Sequence, residues 1–298
     1  FRDWDNMQYW FRAVEKFAPW VNKVHFVTYG HLPKWLNTNN PKLNIAKHSD
    51  FIPKEYLPTF SSQPIELNLH RIKGLAERFV YFNDDMFLLR PVKRELFFAG
   101  KDCLPTDFAI TSTISTTTKE DMMPFIKLNC VTILNGHFDK KEQMKKHFSK
   151  WVNLAYGWNA LRNLIFYGQH RFKGFANNHL AFSFLKSEYE DIWEKEYEAL
   201  ADTSSHKFRS KLDLDNWLIR YWQLTRGNFY PIGRHVKGKV YEIYNGVEQN
   251  QELFKVIENQ TMPMICINDN ENVDFEPMKE RIKQAFDKIL PEKSSFEK

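Results

Sequence analysis

Leu69-His70-Arg71-Ile72, followed after Gly74 by Phe79-Val80-Tyr81-Phe82-Asn83-Asp84-Asp85-Met86, is the stretch that decides the fold. An apolar run of strand character ends here in two adjacent carboxylates. An ionised Asp at the end of a buried strand loses hydration, which a partner, a hydrogen-bond shell or a metal must replace. In open α/β sheets, ligands bind outside the carboxyl ends of the strands. The run therefore predicts a ligand site at Asp84 and Asp85, and a simple polar turn is the alternative.

A divalent cation is the ligand that these two carboxylates favour. Mg²⁺ and Mn²⁺ take oxygen ligands, and Mg²⁺ commonly uses one or two carboxylates together with substrate phosphates. A second stretch, Met262-Pro263-Met264-Ile265-Cys266-Ile267-Asn268-Asp269-Asn270, repeats the pattern of a short buried strand that ends in polar side chains. The sequence predicts that Asp84 or Asp85 meets Asn268 or Asp269 at one Mg²⁺ or Mn²⁺ site.

Helical and strand patterns alternate over the first ninety residues. Helices are predicted at 3–17, where Asp3 or Asp5 can act as the cap, and at 64–75. Strands are predicted at 23–29, 43–48 and 78–88. This order predicts an α/β fold with a mostly parallel sheet. Helical patterns then dominate at 180–200 and 214–225, before a strand at 262–268 and an amphipathic helix at 277–290.

The chain of 298 residues is interpreted as a single catalytic domain. Residues 1–110 and 255–298 are predicted to form the α/β core, and residues 111–254 a mostly helical insertion. Aromatic content of 16% excludes a disordered protein, and the net charge of +5 suits an anionic ligand such as a nucleotide or a phosphorylated glycan. Three widely spaced cysteines predict no disulfide framework and favour a reducing compartment, and no apolar run is long enough to span a membrane.

Basic and aromatic residues are interleaved between 140 and 173. This segment contains eight Lys or Arg residues but only one acidic residue, Glu142. Such a segment can bind single-stranded nucleic acid, a membrane surface or a polyanionic glycan. The ordinary reading is a helix pair whose aromatic face is core and whose lysines are solvated. We expect no nucleic acid, and a peripheral association with a membrane is the weaker alternative that this segment supports.

A second group of polar residues lies between 203 and 213, ahead of the helix predicted at 214–225. Ser210 and Asp213 fit a capping arrangement for that helix. His206 and Arg209 stand just before it, and a helix N-terminus favours anions through its free amides and its dipole. The segment therefore predicts a site for phosphate binding and proton transfer, with a purely structural histidine as the alternative.

Taken together, these stretches are similar to the conserved regions of the Stealth family, and the similarity spans nearly the whole chain in the family's order. The family comprises bacterial capsular polysaccharide phosphotransferases and the catalytic subunit of the animal lysosomal-enzyme GlcNAc-1-phosphotransferase. The compact chain resembles the capsular branch more closely. The third region resembles residues 179–222, with His206, Arg209 and Asp213, and the fourth resembles residues 265–270. The second region is carried by Arg2-Asp3-Trp4, Ala18-Pro19-Trp20-Val21, His48-Ser49-Asp50, Leu57-Pro58-Thr59-Phe60-Ser61-Ser62, Ile65-Glu66, Leu69-His70-Arg71-Ile72 and Asn83-Asp84-Asp85.

The resemblance implies a reaction and a fold. The reaction is transfer of a hexose-1-phosphate from a UDP-sugar to a hydroxyl group of a growing glycan, which forms a phosphodiester and releases UMP. The fold is expected to be Rossmann-like, close to the nucleotide-sugar transferases, with a divalent metal at the diphosphate. The family's first conserved strand, of the Asp-Val-Val-Tyr-Thr-Trp-Val type, is absent from this sequence and is expected upstream.

The resemblance also implies roles for individual residues. His206 is the expected general base, and His70 is the alternative base; His70 could also form a simple surface pair with Glu66. Arg209, Arg71 and Arg2 are expected to neutralise phosphoryl oxygens. Asp213 joins Arg2 in the donor-binding set.

An ordinary metal-dependent glycosyltransferase, which attacks the anomeric carbon and releases UDP, is the alternative function. A cytoplasmic location is expected, with a peripheral association at the inner face of the membrane, because capsular acceptors are lipid-linked.

Overall fold

The computed structural model describes residues 2–116, 118, 120–270 and 272–298. Helices and strands are intermixed along the chain, which confirms the α/β class. The strands are β1 (Val24–Thr28), β2 (Leu43–Lys47), β3 (Arg78–Tyr81), β4 (Met86–Leu88), β5 (Phe98–Ala99), β6 (Leu104–Asp107), β7 (Phe182–Leu185), β8 (Tyr230–Pro231), β9 (Gly238–Glu242) and β10 (Met264–Asn268). The α-helices are α1 (Met7–Phe17), α2 (His48–Phe51), α3 (Ser62–Leu67), α4 (Met123–His137), α5 (Lys140–Lys146), α6 (Phe148–Trp151), α7 (Asn159–Ile165), α8 (Lys186–Lys195), α9 (Tyr197–Ser205), α10 (Asn216–Thr225), α11 (Gln251–Glu258) and α12 (Phe275–Ile289).

The strands of the described chain form four small sheets, in the orders β1-β2, β4-β10-β9, β3-β7 and β5-β6-β8. Three of the strand pairs are parallel (β1-β2, β9-β10 and β6-β8) and three are antiparallel (β4-β10, β3-β7 and β5-β6). A single, mostly parallel sheet was predicted and is not found among the described residues. The predicted strand at 78–88 is in fact two strands, because Asn83-Asp84-Asp85 makes the chain turn between β3 and β4.

The helix predicted at 180–200 is replaced by β7 and the two helices α8 and α9. Aromatic and aliphatic residues at 182, 185, 189 and 192 fit a helical repeat, but Phe182-Ser183-Phe184-Leu185 is buried on both faces and pairs antiparallel with β3. A short apolar run does not by itself distinguish a buried strand from a buried helix. Here the pairing with the distant strand β3 makes residues 182–185 a strand and not a helix.

Three helix boundaries also differ from the prediction. The helix predicted at 64–75 begins at Ser62, ends at Leu67 and is followed by a 3-10 turn at Leu69–Arg71. α10 begins at Asn216, and its cap is Asp215, whose carboxylate accepts a hydrogen bond from Trp217 N at 3.0 Å. Asp213 is therefore not the capping residue. α1 follows Asn6, without a cap from Asp3 or Asp5.

Two large hydrophobic clusters pack on the strands. One joins α1, α11 and α12 to β4 and β10, and the other joins α4, α8 and α10 to β7. β9 approaches β10 so closely that a Cβ atom on Gly238, at φ 153°, would lie 1.8 Å from the carbonyl oxygen of Met264. No helix within the described residues has the length and apolar character needed to cross a membrane. The division into an α/β core and a helical insertion stays a prediction.

Candidate active site

The turn between β3 and β4 brings Asp85 against the middle of β10. Met86 pairs with Cys266 in the antiparallel ladder, and Ile267 N donates to Asp85 O at 2.8 Å. The carboxylate oxygen Oδ2 of Asp85 then receives two side-chain donors, His179 Nε2 at 3.1 Å and Cys266 Sγ at 3.2 Å. His179 lies in the loop just before β7, which pairs with β3. Pairing of distant strands therefore assembles this cluster.

Asp85 has an oxygen left over for a ligand. Its Oδ1 atom is buried and has no hydrogen-bond partner among the described residues, although buried polar atoms are nearly always paired. Single ligand atoms of Asp85, His179 and Cys266 lie within 4.8 Å of one another. Burial raises the pKa of the Cys266 thiol well above its usual range, which keeps the sulfur protonated. Asp85, His179 and Cys266 together form a group that could hold a metal ion.

Charges around Asp85 shift the protonation of its neighbours. Asp84, next to Asp85 in the turn, has an exposed side chain. Its pKa is raised because the surrounding chain partly desolvates the carboxylate and because Asp85 repels its charge. The hydrogen bond to Asp85 raises the pKa of His179 above its ordinary value, and the charges of Asp85 and Glu66 add to this effect against partial burial. His179 therefore carries a proton at a higher pH than a free histidine does.

Glu66 on α3 faces the same cluster. Its carboxylate accepts hydrogen bonds from the Tyr81 hydroxyl at 3.2 Å, from the Ser62 side chain and from the backbone of Asn216. Burial and the nearby charge of Asp215 nevertheless raise the pKa of Glu66 to about 7. Burial likewise raises the pKa of Asp215 to about 6. Glu66 can therefore gain or lose a proton near neutral pH, which is typical of functional carboxylates.

Two exposed arginines contact residues that neighbour this cluster. Arg209 Nη2 contacts Ser62 Oγ at 3.5 Å, so that Ser62 touches both Arg209 and Glu66. Arg234 Nε donates to the side-chain oxygen of Asn178 at 2.9 Å, next to His179 in the chain. Both arginines are exposed and can accept a phosphate, since guanidinium groups match phosphate oxygens in charge and geometry.

Comparison with known proteins identifies the group to which this site belongs. The pattern described as "Stealth protein CR2, conserved region 2" matches residues 1–104. The capsular polysaccharide phosphotransferase WcwK of Streptococcus pneumoniae is 44% identical over 300 residues, covering 100% of this chain and 87% of the relative. The receptor polysaccharide phosphotransferase WefC of Streptococcus gordonii is 40% identical with the same coverage. The exopolysaccharide phosphotransferase cps2G of Lactiplantibacillus plantarum is 38% identical, covering 100% of this chain and 86% of the relative.

The chain belongs to the Stealth family. The family resemblance predicted from the sequence is thereby confirmed, and the protein is a transferase enzyme. The matched second region of this Stealth protein contains Glu66, Asp84 and Asp85. His179 and Arg209 lie outside that region, in the part of the chain between β6 and α10.

The second strand end of the Stealth protein lies beside the turn, but its polar side chains have other partners. Asn268 donates to both carboxylate oxygens of Glu242 at 2.8 Å. Asp269 accepts from Arg2, with Nε and Oδ2 3.2 Å apart. Burial raises the pKa of Asp269, yet the bonds from Arg2 outweigh it and the net direction is downward. The ligand set predicted from both strand ends thus differs from the cluster that the structure assembles.

Arg2 holds the loop after β10. Besides Asp269, it donates to the carbonyl oxygen of Asn270 at 2.6 Å, and its guanidinium lies 4.8 Å from the ring centre of Phe275. His206 and Asp213 form a separate pair, in which His206 Nδ1 and Asp213 Oδ1 are 2.6 Å apart. The other oxygen of Asp213 accepts from Ser210 N at 2.7 Å, so this pair closes the loop between α9 and α10.

His70 and Arg71 lie in the 3-10 turn that follows α3. His70 is buried, and its ring centre lies 5.8 Å from those of Tyr189, on which it stacks, and of Trp193, to which it is tilted. Burial, followed by the charge of Arg71, lowers the pKa of His70 to about 3. Arg71 lies over Trp193, with its guanidinium carbon 4.7 Å from the ring centre. A surface pair of His70 with Glu66 is therefore not formed, and a buried neutral imidazole does not suit a general base.

The sequence pattern assigns no role to Glu66, His179 and Cys266, which the structure brings to the site, or to Arg234, which contacts Asn178 beside His179. Cys266 was set aside because the cysteine spacing fits no metal motif. His179 stood at the edge of a region of family resemblance without a role. Arg234, in a loop between β8 and β9, carries no local signal. These residues become visible only when β3, β7 and β10 are placed together.

Proposed function

We propose that this Stealth protein transfers a hexose-1-phosphate from a UDP-sugar to a hydroxyl group of a glycan acceptor. The product is a phosphodiester in a capsular or cell-surface polysaccharide, and UMP is released. The names of the relatives, which are capsular, receptor and exopolysaccharide phosphotransferases, support this substrate class. The observation that carries the proposal is the convergence of Asp85, His179, Glu66 and Arg209 on one site.

His179 is the general base in this proposal, in place of His206. Because Asp85 holds the Nε2 atom of the imidazole, Nδ1 is the nitrogen that takes the proton from the acceptor hydroxyl. The acceptor oxygen attacks the phosphorus that bears the sugar. The bond from that phosphorus to the bridging oxygen breaks, and its electron pair leaves with UMP. Asp85 and Glu66 stabilise the imidazolium that forms, since both charges raise the pKa of His179.

Positively charged side chains near the site complement the negative charge of the UDP-sugar. Arg209 and Arg234 would bind the phosphoryl oxygens, and each can do so with two parallel N–H bonds. Mg²⁺ or Mn²⁺, held by Asp85 and Asp84, would offset the charge of the diphosphate when it is bound. The buried, unpaired Oδ1 atom of Asp85 supports this cation site.

The arrangement of the chain belongs to the same proposal. A Rossmann-like core of residues 1–110 and 255–298 would bind the donor through Asp84 and Asp85. The helical insertion of residues 111–254 would supply His179 and Arg209. A cytoplasmic location fits the three thiols, Cys103, Cys130 and Cys266, because free cysteines persist in reducing compartments.

The test is the identity of the products. Full-length protein is incubated with Mg²⁺, a panel of UDP-sugars and candidate glycan acceptors, and the nucleotide and phosphorus-containing products are identified. We expect UMP and a phosphodiester in equal amounts. Release of UDP, with the sugar attached to the acceptor without phosphate, would instead establish an ordinary glycosyltransferase. His170→Ala is the matched control for His179→Ala, because His170 also pairs with an aspartate, Asp139 at 2.6 Å, outside the site.

A further inference from the structure

Between α6 and the end of α7 the protein exposes large apolar side chains. We call this the apolar patch and define it by five residues. Leu154 is 97% exposed, Trp158 87% and Ile165 76%. Leu161 and Leu164 are also exposed. Single exposed apolar residues are ordinary on a soluble protein, but a contiguous group marks an interaction surface.

The patch lies along one side of a short, well-anchored element. A 3-10 turn at Leu154–Tyr156 leads through Gly157 into α7, and residues 158, 161 and 165 follow the three- and four-residue spacing of one helix face. The opposite face is fixed in the protein. Asn163 is buried, donates to Ala109 O at 2.6 Å and accepts from Thr111 N at 2.8 Å. The packing of α7 therefore holds the apolar face outward, and the exposure does not come from a detached helix.

Exposed cations lie on α7 and in the segments before and after it. Arg162 lies on α7 itself and is exposed. Lys173 Nζ is 5.9 Å from the ring centre of Phe166, the residue after α7. Lys145 and Lys146 precede Phe148, whose ring contacts Tyr167 at 6.0 Å. Between 140 and 173 these cations are accompanied by a single acidic residue, Glu142.

An apolar face with a basic rim matches the surface of an anionic bilayer. The apolar side chains enter the boundary between head groups and acyl chains, a tryptophan suits that boundary, and lysine and arginine meet lipid phosphates. A second copy of the chain would bring two basic rims together. A polyanionic glycan or a nucleic acid would use the cations but would leave Leu154 and Ile165 in water.

We propose that the apolar patch is a docking surface for an anionic phospholipid bilayer, on which the protein lies without spanning it. The proposal stands on the patch and its charge, and it does not require the phosphotransfer reaction. It also divides the basic and aromatic segment into two parts. Trp151, Tyr156 and Phe172 are core residues, as the ordinary reading of the segment predicts, whereas Trp158 is not.

The test is co-sedimentation of the full-length protein with vesicles of phosphatidylcholine containing about 30 mol% phosphatidylglycerol, a level that gives a clearly negative surface. We expect wild-type protein to bind, and the triple variant Leu154→Ser, Trp158→Ser, Ile165→Ser to bind at least about tenfold more weakly. The matched control Leu128→Ser, Leu212→Ser removes exposed leucines elsewhere and should bind as wild type does. Lys145→Gln, Lys146→Gln, Arg162→Gln should lower binding to these vesicles but not to pure phosphatidylcholine.

A second measurement covers a triple variant that fails to fold. Lipids brominated on the acyl chain should quench part of the tryptophan emission of bound wild-type protein, and Trp158→Phe should remove that quenching while the variant still binds. Equal binding of wild type and a folded triple variant would overturn the proposal. So would the absence of vesicle binding together with a self-association that the triple variant abolishes, because the patch would then be an interface between copies.

Discussion

Two pairs, His179–Asp85 and His206–Asp213, each join an imidazole nitrogen to a carboxylate oxygen, but their surroundings are very different. Asp213 is fully buried, and both of its oxygens are occupied, by His206 and by Ser210 N. One buried oxygen of Asp85 has no partner in the described part of the chain, and the charge of Glu66 adds to the rise in the pKa of His179. Asp85 can therefore still accept a bond at one of its oxygens, whereas both oxygens of Asp213 are already in use. In the proposed mechanism, the oxygen that can still accept a bond, more than the pairing itself, distinguishes the reactive pair from the structural one.

The largest difference between the pairs should appear in turnover. His179→Ala removes the proposed base and should lower the rate of UMP formation by about 10² to 10⁴. His206→Ala should lower it less than about tenfold once folded protein is compared, because the imidazole of His206 contacts Asp202 and Asp213 rather than the carboxylates of the turn. Initial rates at saturating UDP-sugar measure both effects. Equal losses in the two variants would contradict the assignment.

The free energy of unfolding should depend more on Asp213 than on Asp85, which is the reverse of the order expected for turnover. Asp213→Asn disturbs a buried carboxylate that accepts two hydrogen bonds, and we expect it to lower the free energy of unfolding by about 2–4 kcal/mol. Asp85→Asn should change it by less than about 1 kcal/mol, because the amide oxygen can keep both hydrogen bonds of Oδ2 while the amide nitrogen replaces Oδ1, which has no partner among the described residues. The same substitution should abolish Mg²⁺-dependent turnover. Urea unfolding curves give both values. A destabilisation by Asp85→Asn as large as that by Asp213→Asn would place Asp85 among the structural residues.

Glu66 should reveal itself through the pH dependence of stability. Its folded-state pKa is about 7, above the value of about 4.3 in an unfolded chain, so the ionised form is disfavoured on folding. The protein therefore loses stability as the pH rises through this interval. Glu66→Gln should have little effect on unfolding at pH 4 and should stabilise the protein by on the order of 1–3 kcal/mol at pH 8, while turnover falls. Thermal melts across this range measure the effect, with exposed Glu55→Gln as the control. Parallel curves for wild type and Glu66→Gln would show that Glu66 ionises normally.

The smallest effect is expected at the other strand end. Asn268 is committed to Glu242 and Asp269 to Arg2, so neither is needed for the cation in the proposed site. Asn268→Ala and Asp269→Ala should change turnover and the Mg²⁺ concentration at half-maximal rate by less than about threefold, well below the tenfold that follows from losing about 1.4 kcal/mol of binding. A titration of rate against Mg²⁺ measures this. A loss of Mg²⁺ affinity beyond tenfold would restore both residues to the ligand set predicted from the sequence.

Local chemistry made part of the site predictable. Asp84 and Asp85 could be identified because two carboxylates follow an apolar run, and Arg209 because it stands before a helix. Glu66 and His179 could not be identified in this way. Their roles depend on the pairing of β3 with β7 and of β4 with β10, which joins residues about one hundred to one hundred and eighty positions apart.

The fold, too, could be predicted from the sequence only where a local pattern determines it. The alternation of helices and strands predicted the α/β class, since each element carries its own period. The order of strands in the sheets carries no such local signal. β7 was predicted as helix because aromatic residues at 182 and 189 satisfy a helical spacing, and Asp213 was predicted as a cap because Ser210 and Asp213 satisfy a capping spacing. In the structure, residues 182–185 pair with the distant strand β3 instead. Asp213 instead accepts a hydrogen bond from its neighbour His206.

In the proposed mechanism His179 is the base, and the titration of His179 tests that role most directly. The pKa of His179 is measured by NMR in the wild-type protein, with its resonance assigned from the spectrum of His179→Ala, and is compared with the pH dependence of kcat/KM for UMP formation. Because the hydrogen bond that His179 donates to Asp85 raises this pKa, the rate should increase with pH through a value above the ordinary 6.5, and the two values should coincide. A rate that does not change through the pKa of His179 would contradict the account.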